Sequence, residues 1–400
     1  MLSHHKQALI KLFRQCHKIY ANPQESGKEC LEIQETLIQR LTYIEGRIRE
    51  RKAAIKILKN QMGQSKIRLS KVEARKAKDK IEKYHYQIDR YQDLAIIYKN
   101  VGDALAFSYI DKWDIKPLAM KEAAGSLSRK MGSRLERKIL RRVFEIGHIA
   151  LLNDITNCLR FGDITVPKDG KLILFEAKSS KRGTDRDHRQ SAEAESLINF
   201  YATDYSERLY GRDLSTKRVG FRATEIHHRD KINNLVLSAI ENENSFIEAE
   251  DGLFYLASTN FDPQIVEDIF NKCKGKPKAG LINCSSETRF YFPIILTIQN
   301  PETLYKFYDR QLSIIVIVDT GVIENKLLSH DLQISFIDND DEWVAEISRN
   351  EISIIKIGSA LWSRLYAEFV SLDWFLNEVV VHVIESSLTI LDSQLILKET

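Results

Sequence analysis

The chain has 400 residues, of which 43% are hydrophobic and 29% charged, with a net charge of +3 at pH 7. That composition fits a globular protein of two or three domains. No apolar run approaches the roughly 20 residues a membrane helix needs, and the first residues, MLSHHKQALIKLF, show no signal-peptide core. Five scattered cysteines argue against a disulfide framework. The expected setting is therefore the cytoplasm, away from membranes. The charge is unevenly spread. Residues 51–83 carry 12 Lys/Arg against 3 Asp/Glu, residues 129–142 carry 7 against 1, and residues 281–400 carry 8 against 18. A polyanion is attracted to the first half of the chain and repelled by the last third.

In chain order, a helical segment is expected over 1–28 and long basic helices over 29–112. Between Pro23 and Pro117 there is no proline. Apolar residues recur at 3-4 spacing, first as Leu37, Leu41, Ile44 and Ile48, then Ile55, Leu58 and Met62, and later Ile81, Tyr84, Ile88, Tyr91, Ala95 and Tyr98. This pattern predicts a coiled-coil stripe, interrupted at Arg51, Ser65 and Lys76, with a bend either at QMGQS or at EARKAKDK. Such a stripe closes an intramolecular hairpin or joins a homodimer or protein partner.

A second domain is expected over 117–260. It opens with a helix from Ser126 whose apolar face is Leu135, Ile139, Val143, Ile146 and Ala150 and whose other face is basic. A strand hairpin follows, then a helix over RQSAEAESLINFYATDY, then strands at RVGFRATEI and GLFYLAS. The acidic region 261–400 is expected to be a further α/β unit. Its predicted strands are RFYFPIILTI, LSIIVIVDTGVI, LQISFID, ISIIKIG and VVVHVIESSLTIL, with a helix at SALWSRLYAEFVSLDWFLNEV. His227-His228 and Cys273/Cys284 lack zinc spacing, and no phosphate-binding glycine loop is present.

The hairpin holds the chemistry. Asp169-Gly170 between apolar runs signals a type I′ turn. With those two residues as the loop, Lys168 faces Lys171, Ile164 faces Phe175, and Asp163 faces Glu176. Cross-strand Cβ atoms at such a position lie about 4.5–5.5 Å apart. Lys178 points to the same face as Glu176, because strand side chains alternate. Leu172 to Phe175 are apolar on both faces, which predicts an inner strand. Two adjacent carboxylates repel, and a divalent cation with hard oxygen ligands offsets that repulsion. The Ala177 carbonyl is placed to be a third ligand, and Lys178 to serve the attacking water or the phosphate charge.

A Gly-Asp pair, a hairpin and then FEAK resembles the PD-(D/E)XK nuclease superfamily over roughly residues 126–205. The resemblance implies an α/β (α+β) restriction-endonuclease-like core, here between an N-terminal long-helix region and a C-terminal α/β region. It implies metal-dependent phosphodiester hydrolysis with Mg²⁺ or Mn²⁺. Asp163 matches the family's first acid, Glu176 the second and Lys178 the lysine. A further acid on the preceding helix falls to Glu136 or Glu145, and Gln190 sits where some branches carry a glutamine. Gly162 stands where the family often has proline, and Ala194 where the glutamine's aromatic partner usually stands. The implied setting is DNA repair or bacterial defence against phage.

Basic residues flank this constellation. Arg134, Arg137, Lys138, Arg141 and Arg142 precede it, and Lys181, Arg182, Arg186 and Arg189 follow it. They point to a nucleic-acid backbone without base readout. DNA is the expected substrate. The alternatives are an RNase and an inactive nuclease-fold scaffold acting through its coiled coil.

Overall fold

The computed structural model describes residues 2–63, 70–119, 133–176, 185–207, 209, 215–282, 291–338 and 342–396. The chain divides into two compact units, Met1–Arg218 and Val219–Thr400.

The first unit is built on helices α1 (Lys6–Ala21), α2 (Gly27–Gly63) and α3 (Lys71–Tyr109). Their 3-4 spacing buries Leu9, Leu12, Phe13 and Cys16 of α1, Ile33, Leu37, Leu41 and Ile44 of α2, and Leu94, Tyr98, Val101 and Leu105 of α3. The stripe is closed within the chain, since α2 and α3 pack along each other. α2 ends at Gly63, within QMGQS, and residues 64–69 lie outside the described residues. EARKAKDK lies inside α3, which starts from a capping box formed by Ser70 and Glu73. Arg51, the polar break in the stripe, crosses to α3, where its Nε donates to Gln87 at 2.7 Å and its guanidinium lies over Tyr84. Such a polar crossing fixes helix register.

After α4 (Lys112–Ala119) comes α5 (Ser133–Glu145). Residues 120–132, the expected start of this helix, lie outside the described residues. α5 is shorter than the apolar pattern predicts. Gly147, at φ +83°, ends it, leaving Ile146 exposed and Ala150 beyond it. The buried positions on α5 are Glu136 and Leu140. Strands β1 (Leu151–Leu152), β2 (Ile164–Lys168) and β3 (Lys171–Phe175) form an antiparallel sheet in that order. Helix α6 (Asp185–Thr203) and the small pair β4 (Tyr205–Ser206) and β5 (Thr216–Lys217) complete the unit.

In this sheet β2 is the inner strand and β3 the edge, contrary to the expectation from the Leu172–Phe175 run. Among the described residues β3 pairs only with β2, and Ile173 and Phe175 are each 40% exposed. A restriction-endonuclease-like core is not evident from the three-stranded sheet. What stands is a mixed α/β fold with a long helical N-terminal region.

The second unit holds a sheet in the order β6 (Asn244–Glu250), β7 (Leu253–Ser258), β9 (Ser313–Asp319), β8 (Pro277–Leu281), all antiparallel. A second sheet is β10 (Gln333–Phe336), β11 (Trp343–Arg349), β12 (Ile352–Gly358). The pairing of β7 with β9 ties residues before 260 to residues after 310, so 219–260 belong here and not with the hairpin.

Three predicted strands differ. Residues 218–226 form no strand. Pro293 precedes a short helix, Ile294–Thr297, where a strand is predicted. The VVVHVIESSLTIL run lies in a long helix, Leu372–Ile396. There the burial of Phe375, Leu376, Val379, Val380 and Val383 at helical spacing overrides the β-preference of valine.

Candidate active site

The turn is Asp169-Gly170, with φ of +50° and +70°, as a type I′ loop requires. The register runs from Lys168↔Lys171 through Pro167↔Leu172, Val166↔Ile173 and Thr165↔Leu174 to Ile164↔Phe175, as the sequence predicts. It stops there. The Asp163 amide donates to the Phe175 carbonyl at 2.8 Å, so Asp163 lies against Phe175, one position short of Glu176. The two carboxylates share the open end of the hairpin without forming a direct cross-strand pair. Asp163 is half-buried and Glu176 exposed.

Gly162 causes this departure. Its φ is +72°, and a Cβ there would lie 2.8 Å from the Phe175 carbonyl oxygen. Proline, fixed near −65°, has no access to that conformation, which accounts for glycine at this position.

Asn153 holds the same turn from behind. Its side-chain amide donates to the Phe161 and Gly162 carbonyls at 2.6 and 3.2 Å, and its Oδ1 accepts from Thr165 at 2.9 Å. Its backbone N–H donates to the Asp163 carbonyl at 2.9 Å.

Two helical side chains anchor this assembly to the bundle. Gln34 of α2, fully buried, donates to the Ala150 carbonyl and accepts from the Leu152 amide, both at 2.9 Å, and so substitutes for a strand neighbour of β1. Asp103 of α3 accepts from the Asn157 amide at 2.7 Å, the Cys158 amide at 2.9 Å and the Asn157 side chain at 2.8 Å. Burial pushes its carboxyl above the ordinary range against these hydrogen bonds. Burial also lowers the Lys99 ammonium, with Asp154 and Asp103 opposing that shift. Gly102 lets the loop approach α3, since a Cβ there would meet the Ile155 oxygen at 2.2 Å. Sequence reasoning passed over Gln34, Gly102, Asp103 and Asn153. The available signal was a polar Gln inside an apolar stripe and a Gly-Asp pair inside a long helix.

Of the two helix acids, Glu136 is 2% exposed, whereas Glu145 faces solvent and pairs with Arg142 at 3.0 Å. Among the described residues, no three His, Cys, Asp or Glu side chains gather to hold a metal ion. Glu145 therefore does not complete a three-acid cluster with Asp163 and Glu176. Ala177, Lys178, Lys181 and Arg182 lie outside the described residues, as do the side chains of Arg186, Arg189 and Gln190 in α6.

Arg134, Arg137, Lys138, Arg141, Arg142 and Glu145 line one open cleft along α5. Arg141 is engaged by Glu35 of α2, with Nη2 at 2.7 Å and Nε at 2.8 Å from Oε1, so it braces α5 against the bundle. Arg134, Arg137 and Lys138 are exposed on α5.

Two carboxylates lie at the hairpin end, Asp163 half-buried on backbone fixed by hydrogen bonds and Glu176 exposed, and carboxylate oxygens are the donor type that a hard divalent cation takes. No protein-family model, curated protein or solved structure matches this chain.

Proposed function

We propose that the chain is a metal-dependent nuclease that hydrolyses phosphodiester bonds in DNA. The observation that carries this reading is the hairpin register, which brings Asp163 and Glu176 to one open end. The basic residues of α5 add a backbone-binding surface in the same unit.

Asp163 and Glu176 would hold Mg²⁺ or Mn²⁺, with the Ala177 carbonyl as a third ligand. The cation, when bound, supplies charge neutralisation at the phosphate and lowers the pKa of water. Lys178 follows Glu176 by two positions and orients the attacking water or neutralises charge building on the phosphate. Gly162 and Asn153 hold the Asp163 backbone in place. Arg134, Arg137 and Lys138 bind phosphates and set the strand's position. Gln190 lies on α6 as a further polar group for the site.

Purified wild type, Asp163→Asn, Glu176→Gln and Lys178→Ala are compared on plasmid DNA with Mg²⁺, Mn²⁺ or EDTA. Wild type cuts with metal alone, and each variant loses about 100-fold or more, the scale of removing one preorganised electrostatic group. Equal cleavage by all four proteins removes the assignment.

The absence of a three-acid cluster among the described residues favours a second reading, an inactive nuclease-like scaffold. That reading expects DNA binding by wild type with no metal-dependent cutting. Cleavage of RNA in preference to DNA would identify an RNase instead.

A further inference from the structure

The outer half of the α2–α3 arm is not used by the site described above. Over 46–63 and 71–87 the one buried residue is Ile55. Ala54, Leu58, Met62, Ala74, Ala77 and Ile81 are half-buried along a thin seam. Gly46, Arg47, Ile48, Arg51, Tyr84 and Gln87 are half-buried at its inner end. Every other side chain of the two stretches turns outward, and the stretches are basic, with 12 Lys/Arg against 4 Asp/Glu. Lys52, Lys56, Lys59, Lys76, Lys78 and Lys80 are all exposed. Among the described residues of this stretch the ion pairs within 4 Å are those of Glu50 with Arg47 and Arg51, at the arm's inner end.

We infer that this outer arm is a docking surface for the phosphate backbone of duplex DNA. A second copy of the arm is an unsuitable occupant, because two surfaces of the same strong positive charge repel. An anionic bilayer is disfavoured because an interfacial helix needs a continuous apolar face. Here the large exposed apolar residues, Ile57, Val72 and Tyr86, stand singly. Single-stranded nucleic acid calls for a series of open aromatic platforms, whereas Tyr84 lies under Arg51 and Lys80 and Tyr86 is a single exposed ring.

Rigid duplex fits the geometry. At 1.5 Å per residue, positions 46–63 form a rod of about 27 Å. Duplex DNA presents about 16 phosphates over that length. The choice of a phosphate backbone rests on the arm alone, and the choice of DNA over RNA rests on the function proposed above.

The test uses the full chain in EDTA, where no cleavage occurs, so that it reads binding alone. Fluorescence anisotropy follows a 30-bp DNA duplex across 50–200 mM salt, with duplex RNA, single-stranded DNA and phosphatidylserine vesicles in parallel. The variant Lys56→Gln/Lys59→Gln/Lys76→Gln/Lys80→Gln removes four charges while keeping good helix formers. Its Lys→Arg counterpart keeps the charge. The Gln variant should bind duplex DNA about tenfold or more weakly, with the slope of log K against log salt reduced by about 3 to 4. The Arg variant should bind like wild type. Equal binding by the Gln variant, no binding by wild type, or an arm-dependent preference for vesicles, RNA or single strands would overturn the inference. A nuclease that fails to cut but shows this arm effect leaves the inference standing and sinks only the catalytic reading.

Discussion

At the residue scale, the close approaches of backbone to backbone decide where the hairpin sits. Gly102 packs against the Ile155 carbonyl at a distance that excludes a Cβ. Gly102→Ala, normally favourable in a helix, should therefore destabilise the first unit by about 1–3 kcal/mol through overpacking. A denaturant melt checks this, and an unchanged or raised midpoint would mean that the loop does not dock on α3. A second residue-scale effect lies in the other unit. Burial alone pushes the Glu250 carboxyl up, but His228 at 3.1 Å, the Leu372 amide and the Ser371 hydroxyl outweigh burial and hold it below its ordinary value. A depressed carboxyl stabilises the fold above its unfolded pKa, and that contribution is lost as pH falls through the lowered folded value. Glu250→Gln should thus be less stable than wild type at neutral pH, with the gap in melting temperature closing below about pH 4. A gap that stays constant with pH would exclude this linkage.

At the scale of elements, the hairpin was legible because its signals are local. A turn of Asp169-Gly170 fixes the register of its flanks by period-2 pairing, and Ile164 to Phe175 follow from it. The long helices were legible from their 3-4 spacing. The edge position of β3 was not, because an apolar run says that a strand has two apolar faces and not how many neighbours cover them. The offset of Asp163 from Glu176 depends on a positive φ at Gly162, which a sequence permits but does not state. Within Leu372–Ile396 the β-preference of valine and isoleucine points to a strand, whereas the 3-4 spacing of Phe375, Leu376, Val379, Val380 and Val383 is the signal the helix obeys. Gln34 and Asp103 were invisible for a related reason: their partners lie 116 and 54 residues away.

At the scale of the whole molecule, the charge asymmetry of the sequence maps onto two units divided at Arg218 and Val219. The basic helices and the hairpin lie in the first, and the acidic C-terminal third lies in the second. The second unit has its own core on β7 and β9, where Phe254, Leu256 and Ile317 are buried with Ile269. It also contains a buried ion network, in which Arg364 meets Glu368 at 2.7 Å and Glu225 at 2.5 Å. Residues 219–400 expressed alone should therefore fold and melt in one cooperative transition by circular dichroism. A non-cooperative melt would show that this unit needs the first. The divalent cation proposed for the hairpin end concerns the first unit alone. Titration of Mn²⁺ into the full chain, followed by loss of the free-ion electron paramagnetic resonance signal, tests it most directly. Wild type should take up Mn²⁺ at a site that Mg²⁺ competes for, and both Asp163→Asn and Glu176→Gln should lose that uptake while melting like wild type. Uptake that is absent in wild type, or undiminished in both variants, would contradict the account.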